Sequence, residues 1–322
     1  MGEQGYSGAG GSNHPAYAAL TLKDITVDGG GDKTAATNPA IYVSRYGTLT
    51  LDDGAVLRNC RSQYYAGGAV GLFAGTSEFV MNGTARMEDN EADYGGGVYI
   101  GNILASFTMN GGTIANNTAT KYGGGVYCEA SKRYGSEDTA KINLNGGTIT
   151  GNTRLGGIAA NTRGTAVIDN CVNKANITST GDYAGGIVGA VNQSDNATVT
   201  ITNCRNEGSV TGKTYAGGIL GQDFGIAVVS ITACENHGAV SGATAGGILG
   251  ISSDDTVISA CGNTAVITGT GTAGGILGRT DYYTSSVEKC YNSGSVTAAT
   301  AGGIVGLNNA QIDSCYNTGA IS

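Results

Sequence analysis

The 322-residue chain has no tryptophan, two prolines and two histidines, and only 13% of its residues are charged. Each shortage excludes something. With histidine only at His14 and His237, no His-Glu-x-x-His pair exists, so zinc-peptidase chemistry is excluded from this stretch. A net charge of −8 argues against a nucleic-acid partner, which needs a basic stripe to displace counterions. No run of about 18 apolar residues is present, so no segment reads as a membrane-spanning helix. The opening Met1-Gly-Glu-Gln lacks the apolar core of a secretion signal. Scarce proline beside 57 glycines does not fit a flexible or polyproline linker. It fits many short strands joined by tight turns.

What the chain has in abundance is a glycine pair followed by an aliphatic residue. It begins at Gly67, Gly96, Gly124, Gly156, Gly185, Gly217, Gly246, Gly274 and Gly302, in steps of 28 to 32 residues. A fixed period of this size marks a solenoid, propeller or array, which grows one unit at a time. Within the unit Ala197 to Gly221, three β-prone pieces alternate apolar and polar residues between Asn-x-Gly and Thr-Gly turns. The spacing predicts an all-β fold, a single right-handed parallel β-helix of about ten three-strand coils stacked about 4.8 Å apart. Val199, Ile201, Val210 and Ile219 are the expected inward residues of that unit. Stepping back by 28 from Ala69 places Ile41 in an earlier, irregular coil.

The repeat changes character along the chain. Residues 1–18 read as a Gly-rich tail or cap, 19–165 as a first half and 166–322 as a second. The first half carries Gly-Gly-Gly-Val-Tyr and Asn-Gly-Gly-Thr-Ile blocks. The second carries Ala-Gly-Gly-Ile-(Val/Leu)-Gly and Cys-Tyr-Asn-x-Gly blocks. The second half resembles the GLUG-type repeats of bacterial surface proteins, some of which are secreted immunoglobulin A peptidases. The first half resembles the repeats of β-helical outer-membrane and adhesin-like proteins. The resemblance implies an extracellular, surface or secreted setting and a non-enzymatic stalk or adhesin segment. Its partners would be glycans or host surface and secreted proteins. The chain stops partway through a repeat at Ser322, so an excised fragment able to self-associate end to end is expected. The alternatives are a carbohydrate-active β-helix (lyase or glycoside hydrolase) and an accessory substrate-binding domain of a peptidase.

Six of eight cysteines recur at one repeat position: Cys171, Cys204, Cys234, Cys261, Cys290 and Cys315. Stacked coils hold equivalent Cβ atoms at about 4.8 Å, whereas a disulfide wants about 3.8 Å. A ladder of small buried side chains is therefore expected, with few bridges. A four-thiolate metal centre commonly uses Cys-x-x-Cys, which is absent, so no metal is assigned. Cys60 and Cys128 fall outside the row.

Aligning on the glycine pair brings Tyr65, Tyr94, Tyr122, Tyr183 and Tyr215 to one position, with Arg154 between and Thr244, Thr272 and Thr300 beyond. Such a row packs as a ladder, with Arg154 over an aromatic face, or presents an aromatic strip to a ligand. A binding strip would fall where aromatics are densest, at Tyr64, Tyr65, Tyr94, Tyr99, Tyr122 and Tyr127, near the long turn at residues 131–138. Three threonines are too few for an ice-binding face. Acid–base catalysis would need carboxylates at fixed separation. The candidates are Asp52-Asp53, the run Glu88, Asp89, Glu91 and Asp93, Asp254-Asp255, and Asp281. They read as solvated corners. No catalytic residue and no cofactor is assigned. The Gly-rich blocks precede no helix, so they are not phosphate loops.

Overall fold

The computed structural model describes residues 18–30, 38–62, 67–73, 75–101, 104–128, 141–144, 148–151, 155–157, 159–162, 166–169, 171–193, 198–225, 228–253, 255–281, 285–307 and 309–322. Among them every regular element is a β-strand and there is no helix. Strands pair in parallel with their counterparts one repeat away, as Thr48–Leu51 does with Glu78–Met81 and Thr198–Thr202 with Val228–Thr232. The protein is a parallel β-solenoid. One eleven-stranded ladder runs from Ala19–Leu22 to Tyr316–Asn317, beside sheets of fifteen, six, six and four strands.

The coils carry more strands than the three expected. In the first half Glu78–Met81, Arg86–Glu88, Glu91–Tyr94 and Val98–Ile100 make one coil. In the second half Thr198–Thr202, Arg205–Asn206, Val210–Thr211, Tyr215–Gly217 and Leu220–Gly225 make one. In the second half the extra strands are two-residue pieces, Arg205–Asn206 and Val210–Thr211. They are too short to show as period-two alternation. The two six-stranded sheets begin at Ala159–Thr162 and Ala166–Asp169, where the repeat changes type. The first irregular coil pairs Ile41 with Val70, one residue away from the extrapolated register.

The core is a set of apolar ladders. Leu49, Phe79 and Phe107 stand in register, and the two phenyl rings stack at 4.9 Å. Leu51, Met81 and Met109 form the next column, all fully buried. Val199, Ile201, Val210 and Ile219 are buried as their alternation predicts. Burying each such side chain contributes about 1.5–3 kcal/mol, but only when a neighbouring coil covers it. In the last coil Leu307, Ile312, Tyr316 and Ile321 remain 43–60% exposed.

Candidate functional site

Each second-half coil turns a corner at its cysteine. The preceding residue takes the left-handed conformation, with φ of 52–53° at Asn203, Ala233, Ala260, Lys289 and Ser314. That bend points the next side chain inward. The Cys234 N–H donates to Cys261 Sγ at 3.4 Å, Cys261 N–H to Cys290 Sγ at 3.4 Å, and Cys290 N–H to Cys315 Sγ at 3.3 Å. Each of these thiols lies against the carbonyl two residues back and one in the preceding coil, as Cys234 Sγ does with Thr232 O at 3.4 Å and Ile201 O at 3.5 Å. All eight cysteines are free; Cys204, Cys234, Cys261 and Cys290 are buried, and Cys171 and Cys315 are half-buried at the two ends of the row. The neighbouring thiols of Cys234 and Cys290, together with burial, push the Cys261 thiol well above its usual range.

Cys60 was expected to stand alone, but it occupies the same kind of corner in the first half, after Asn59 at φ 54°. The later rungs there are asparagines. Cys60 N–H donates to Asn90 Oδ1 at 3.0 Å, and Asn90 N–H to Asn117 Oδ1 at 3.0 Å. Asn90 Nδ2 reaches Leu57 O, as Cys234 Sγ reaches Ile201 O. Thiol and amide perform one geometric task. Cys128 stays outside the row, buried on the strand Val126–Cys128 in register with Ile100.

Two residues beyond each cysteine runs a second ladder, of buried asparagines. Asn173, Asn206, Asn236, Asn263 and Asn292 each donate Nδ2–H to the next Asn Oδ1 at 2.6–2.7 Å, ending on Asn317. Each also donates to a carbonyl two residues ahead in its own coil, as Asn236 does to Gly238 O at 2.9 Å. This ladder explains the glycine pair. A Cβ on the second glycine, such as Gly218, would fall on the carbonyl oxygen of Gly247 and on the Asn236 amide one coil on. Only hydrogen fits there.

Of the tyrosines expected to form a binding strip, Tyr94, Tyr99, Tyr122 and Tyr127 are brought together, and all but half-buried Tyr122 are covered. Tyr94, Tyr99 and Tyr127 are 7, 4 and 2% exposed and form their own cluster with Phe73 and half-buried Tyr122. Tyr99 stacks on Tyr127 at 5.7 Å, and Tyr94 packs on Tyr127 at 5.1 Å. The stack continues from Tyr99 to Phe73 at 5.1 Å and from Phe73 to Tyr42 at 4.8 Å. Phe73 reaches back over Gly71, the rung with no side chain of its own. Rings at coil spacing bury one another's faces, so these tyrosines offer no open platform to a sugar. Tyr64, Tyr65, Arg154 and residues 131–138 lie outside the described residues. Among the described residues, cations lie over aromatic rings at Lys121, 5.1 Å from the Tyr94 centroid, and at Arg45, 5.0 Å from the Tyr46 centroid.

Open tyrosine surface lies at Tyr42, 51% exposed at the end of this stack, and in the second half. Tyr183 and Tyr215 stack at 5.7 Å, in register with Thr244, Thr272 and Thr300 as the glycine alignment predicts. Tyr291 and Tyr316 stack at 5.9 Å, and Tyr316 is 60% exposed. Tyr291 lies over Gly262, and the Glu235 charge contributes, after burial, to raising its phenol pKa.

Asp254 lies outside the described residues; among those described, the candidate catalytic carboxylates form no metal-holding cluster. Glu88 pairs with Arg86, Glu91 with Arg61 at 3.2 Å, and Asp281 with Arg279 at 2.6 Å. Asp93 accepts from Thr120 at 2.5 Å and pairs with Lys121 at 3.0 Å; the Thr120 hydroxyl chiefly holds its carboxyl below the usual range. Asp53 accepts from Thr84 N–H at 2.9 Å. His237 bridges Thr264 at 2.7 Å and Glu235 at 3.1 Å on an exposed turn. Most of these contacts join a coil to its neighbour. A cavity at the first coils is lined by Leu20, Ile41, Tyr42, Val43 and Leu49, with no carboxylate or imidazole among its described lining residues. Among the described residues no group of three or more His, Cys, Asp or Glu side chains could hold a metal ion. No family model, curated protein or solved structure matches the chain.

Proposed function

We propose that the chain is a non-enzymatic spacer of an extracellular bacterial surface protein, wound as a right-handed stack of about ten coils. Its outer tyrosines make the contact with a glycan or a host protein. One observation carries the reading: among the carboxylates that could act as acids or bases, Asp53, Glu88, Glu91, Asp93 and Asp281 are engaged in ion pairs and hydrogen bonds, mostly between coils. They brace the stack. The resemblance of the repeats to GLUG-type and adhesin-like surface proteins supports the setting. The stacked pair of half-buried Tyr291 and 60%-exposed Tyr316, with the Glu235 charge acting on Tyr291, supports a contact face in the second half. Aromatic faces next to a carboxylate suit sugar rings and their hydroxyls, and exposed tyrosines suit protein partners.

The test uses the full chain. Screened against glycans and secreted host proteins, it is expected to bind at least one, with affinity falling about tenfold in a Tyr291→Ala, Tyr316→Ala variant, about 1.4 kcal/mol. Incubated with a polysaccharide panel, it is expected to release no new reducing or unsaturated ends. Turnover of any polysaccharide, or binding indifferent to both tyrosines, would overturn the reading.

A further inference from the structure

We propose that the corner between the two six-stranded sheets of the second half is a docking surface for an extended, cationic segment of another protein, one that carries arginine or lysine next to aliphatic or aromatic side chains. The repeat itself singles this corner out. In the second half, the step from the first glycine of each pair to the next cysteine ranges from 19 residues (Gly185 to Cys204) to 13 (Gly302 to Cys315), while the step from cysteine to the next pair stays at 12–14. The strand position of Val188, Leu220 and Leu249 always lies three residues after the glycine, and that of Ile201, Ile231 and Ile258 three before the cysteine. The large variation therefore falls between those two strands. Repeats carry their binding loops where one corner varies over a fixed frame.

The corner is apolar and acidic. Phe224, Val228 and Val257 are 52, 49 and 37% exposed. Asp223, Ser252 and Thr280 share one column, and Phe224 and Asp281 stand one residue past it. Val228 stands opposite Asp255, whose carbonyl accepts from Val229 N–H at 3.1 Å. Asp255 and Asp281 are exposed. In sequence, residues 192–197, 223–228, 252–256 and 279–286 hold five aspartates and one arginine, Arg279, which is paired with Asp281. That sign repels nucleic acid and anionic lipid and attracts a cationic chain. Val228 and Val257 offer nothing to a sugar hydroxyl, so apolar side chains of a protein are the fit, with the carboxylates at the rim. Beside these columns runs a buried network. Thr256 donates to Asp223 Oδ2 at 2.6 Å, Ser252 donates to Thr256 at 2.9 Å, and the Ser252 and Ser285 hydroxyls lie 2.9 Å apart. It ties three coils together, so the surface is formed before a partner arrives.

The experiment is fluorescence anisotropy of a short labelled peptide, in which arginine alternates with valine and tyrosine, titrated with the full chain. Binding is expected, and it should weaken as salt is added. Asp255→Asn with Asp281→Asn, and separately Phe224→Ser with Val228→Thr, should each weaken it about tenfold. Asp89→Asn with Glu207→Gln removes two exposed charges elsewhere and should change it by less than about twofold. Unlabelled peptides with glutamate for arginine, or with serine for valine and tyrosine, should not compete. If the Phe224 variant melts below the parent chain, Val257→Lys takes its place; it sets a like charge against the arginines on the solvent side and should give the same loss. Absence of binding, equal losses in the two charge variants, or a serine peptide that competes as well as the original would overturn the proposal. The last two outcomes would mean that the acidic surface as a whole, and not this corner, attracts the peptide.

Discussion

Replacing Asn236 with alanine should open the asparagine ladder at its centre. Asn236 accepts from Asn206 Nδ2 at 2.7 Å and donates to Asn263 Oδ1 at 2.7 Å and to Gly238 O at 2.9 Å. The residue is fully buried, so water has no ready path to the orphaned groups. Each buried group left without its partner costs about 1–3 kcal/mol, although Asn206 Nδ2 keeps its bond to Gly208 O. Adding the small void gives a loss of about 3–5 kcal/mol. Asn317 supplies the internal control. It receives the last bond of the ladder, from Asn292 at 2.6 Å, in a coil that water reaches. Alanine there should cost about 1 kcal/mol. The assay is urea denaturation, supported by amide exchange resolved along the chain, because a solenoid can lose neighbouring coils before distant ones. Protection should fall first around residues 206–263. Equal losses at the two positions, or a central loss under about 1 kcal/mol, would refute the claim that the ladder holds the coils in register. Gly218→Ala should be at least as damaging, and Asn236→Ala should not rescue it, because the Gly247 carbonyl would still block the added methyl.

Four further outcomes follow from the same geometry. Ala233→Gly should stabilise by about 0.5–1 kcal/mol in thermal or urea melts, because alanine at φ 53° is strained where glycine is not. The row cysteines should resist a thiol reagent at pH 8 until the chain unfolds; with the Cys261 pKa raised, the stability from its neutral thiol is full below the unfolded pKa and is lost as pH rises through the folded one. Asp28, held at about 2 by Asn59, Gly30 and Arg58, should keep these contacts above the ordinary carboxyl range and lose them as pH falls from about 4 to about 2, as a carboxyl NMR titration would show. Finally, the exposed Leu307, Ile312 and Ile321 should drive self-association at high concentration; sedimentation should show it weakened by Ile312→Lys, and a strict monomer would refute it.

Much of the architecture was legible because period and alternation record it directly. The glycine step located the coils, and the register of Tyr183, Tyr215, Thr244, Thr272 and Thr300 followed from it residue by residue. The corner strands were not legible, because two residues such as Arg205–Asn206 carry no period. The asparagine ladder was written in the sequence as Cys-x-Asn six times over, from Cys171-Val-Asn173 to Cys315-Tyr-Asn317. Its meaning needed the next coil, since a buried amide is satisfied only when another stands one rung away. The tyrosine cluster was found as a set but misjudged as a surface. Aromatic density does not distinguish rings that face water from rings that face one another, and at coil spacing the second arrangement prevails.

The corner is where shape and chemistry separate. A left-handed residue followed by an inward acceptor closes the coil whether that acceptor is an amide oxygen, as at Asn117, or a thiol, as at Cys261. The amide does so at 3.0 Å and the thiol at 3.4 Å, and N–H···O is the stronger bond of the two. On hydrogen bonding alone the second half would hold together at least as well with asparagine at every corner. What the thiol adds is a small, soft atom repeated once per coil, buried from Cys204 to Cys290 and half-buried at Cys171 and Cys315. The outer faces can vary without disturbing that line, because their ion pairs and tyrosine stacks bind coil to coil from outside. Coil-to-coil ties on the outer face and the row of corner acceptors are thus carried by different surfaces of the same coil.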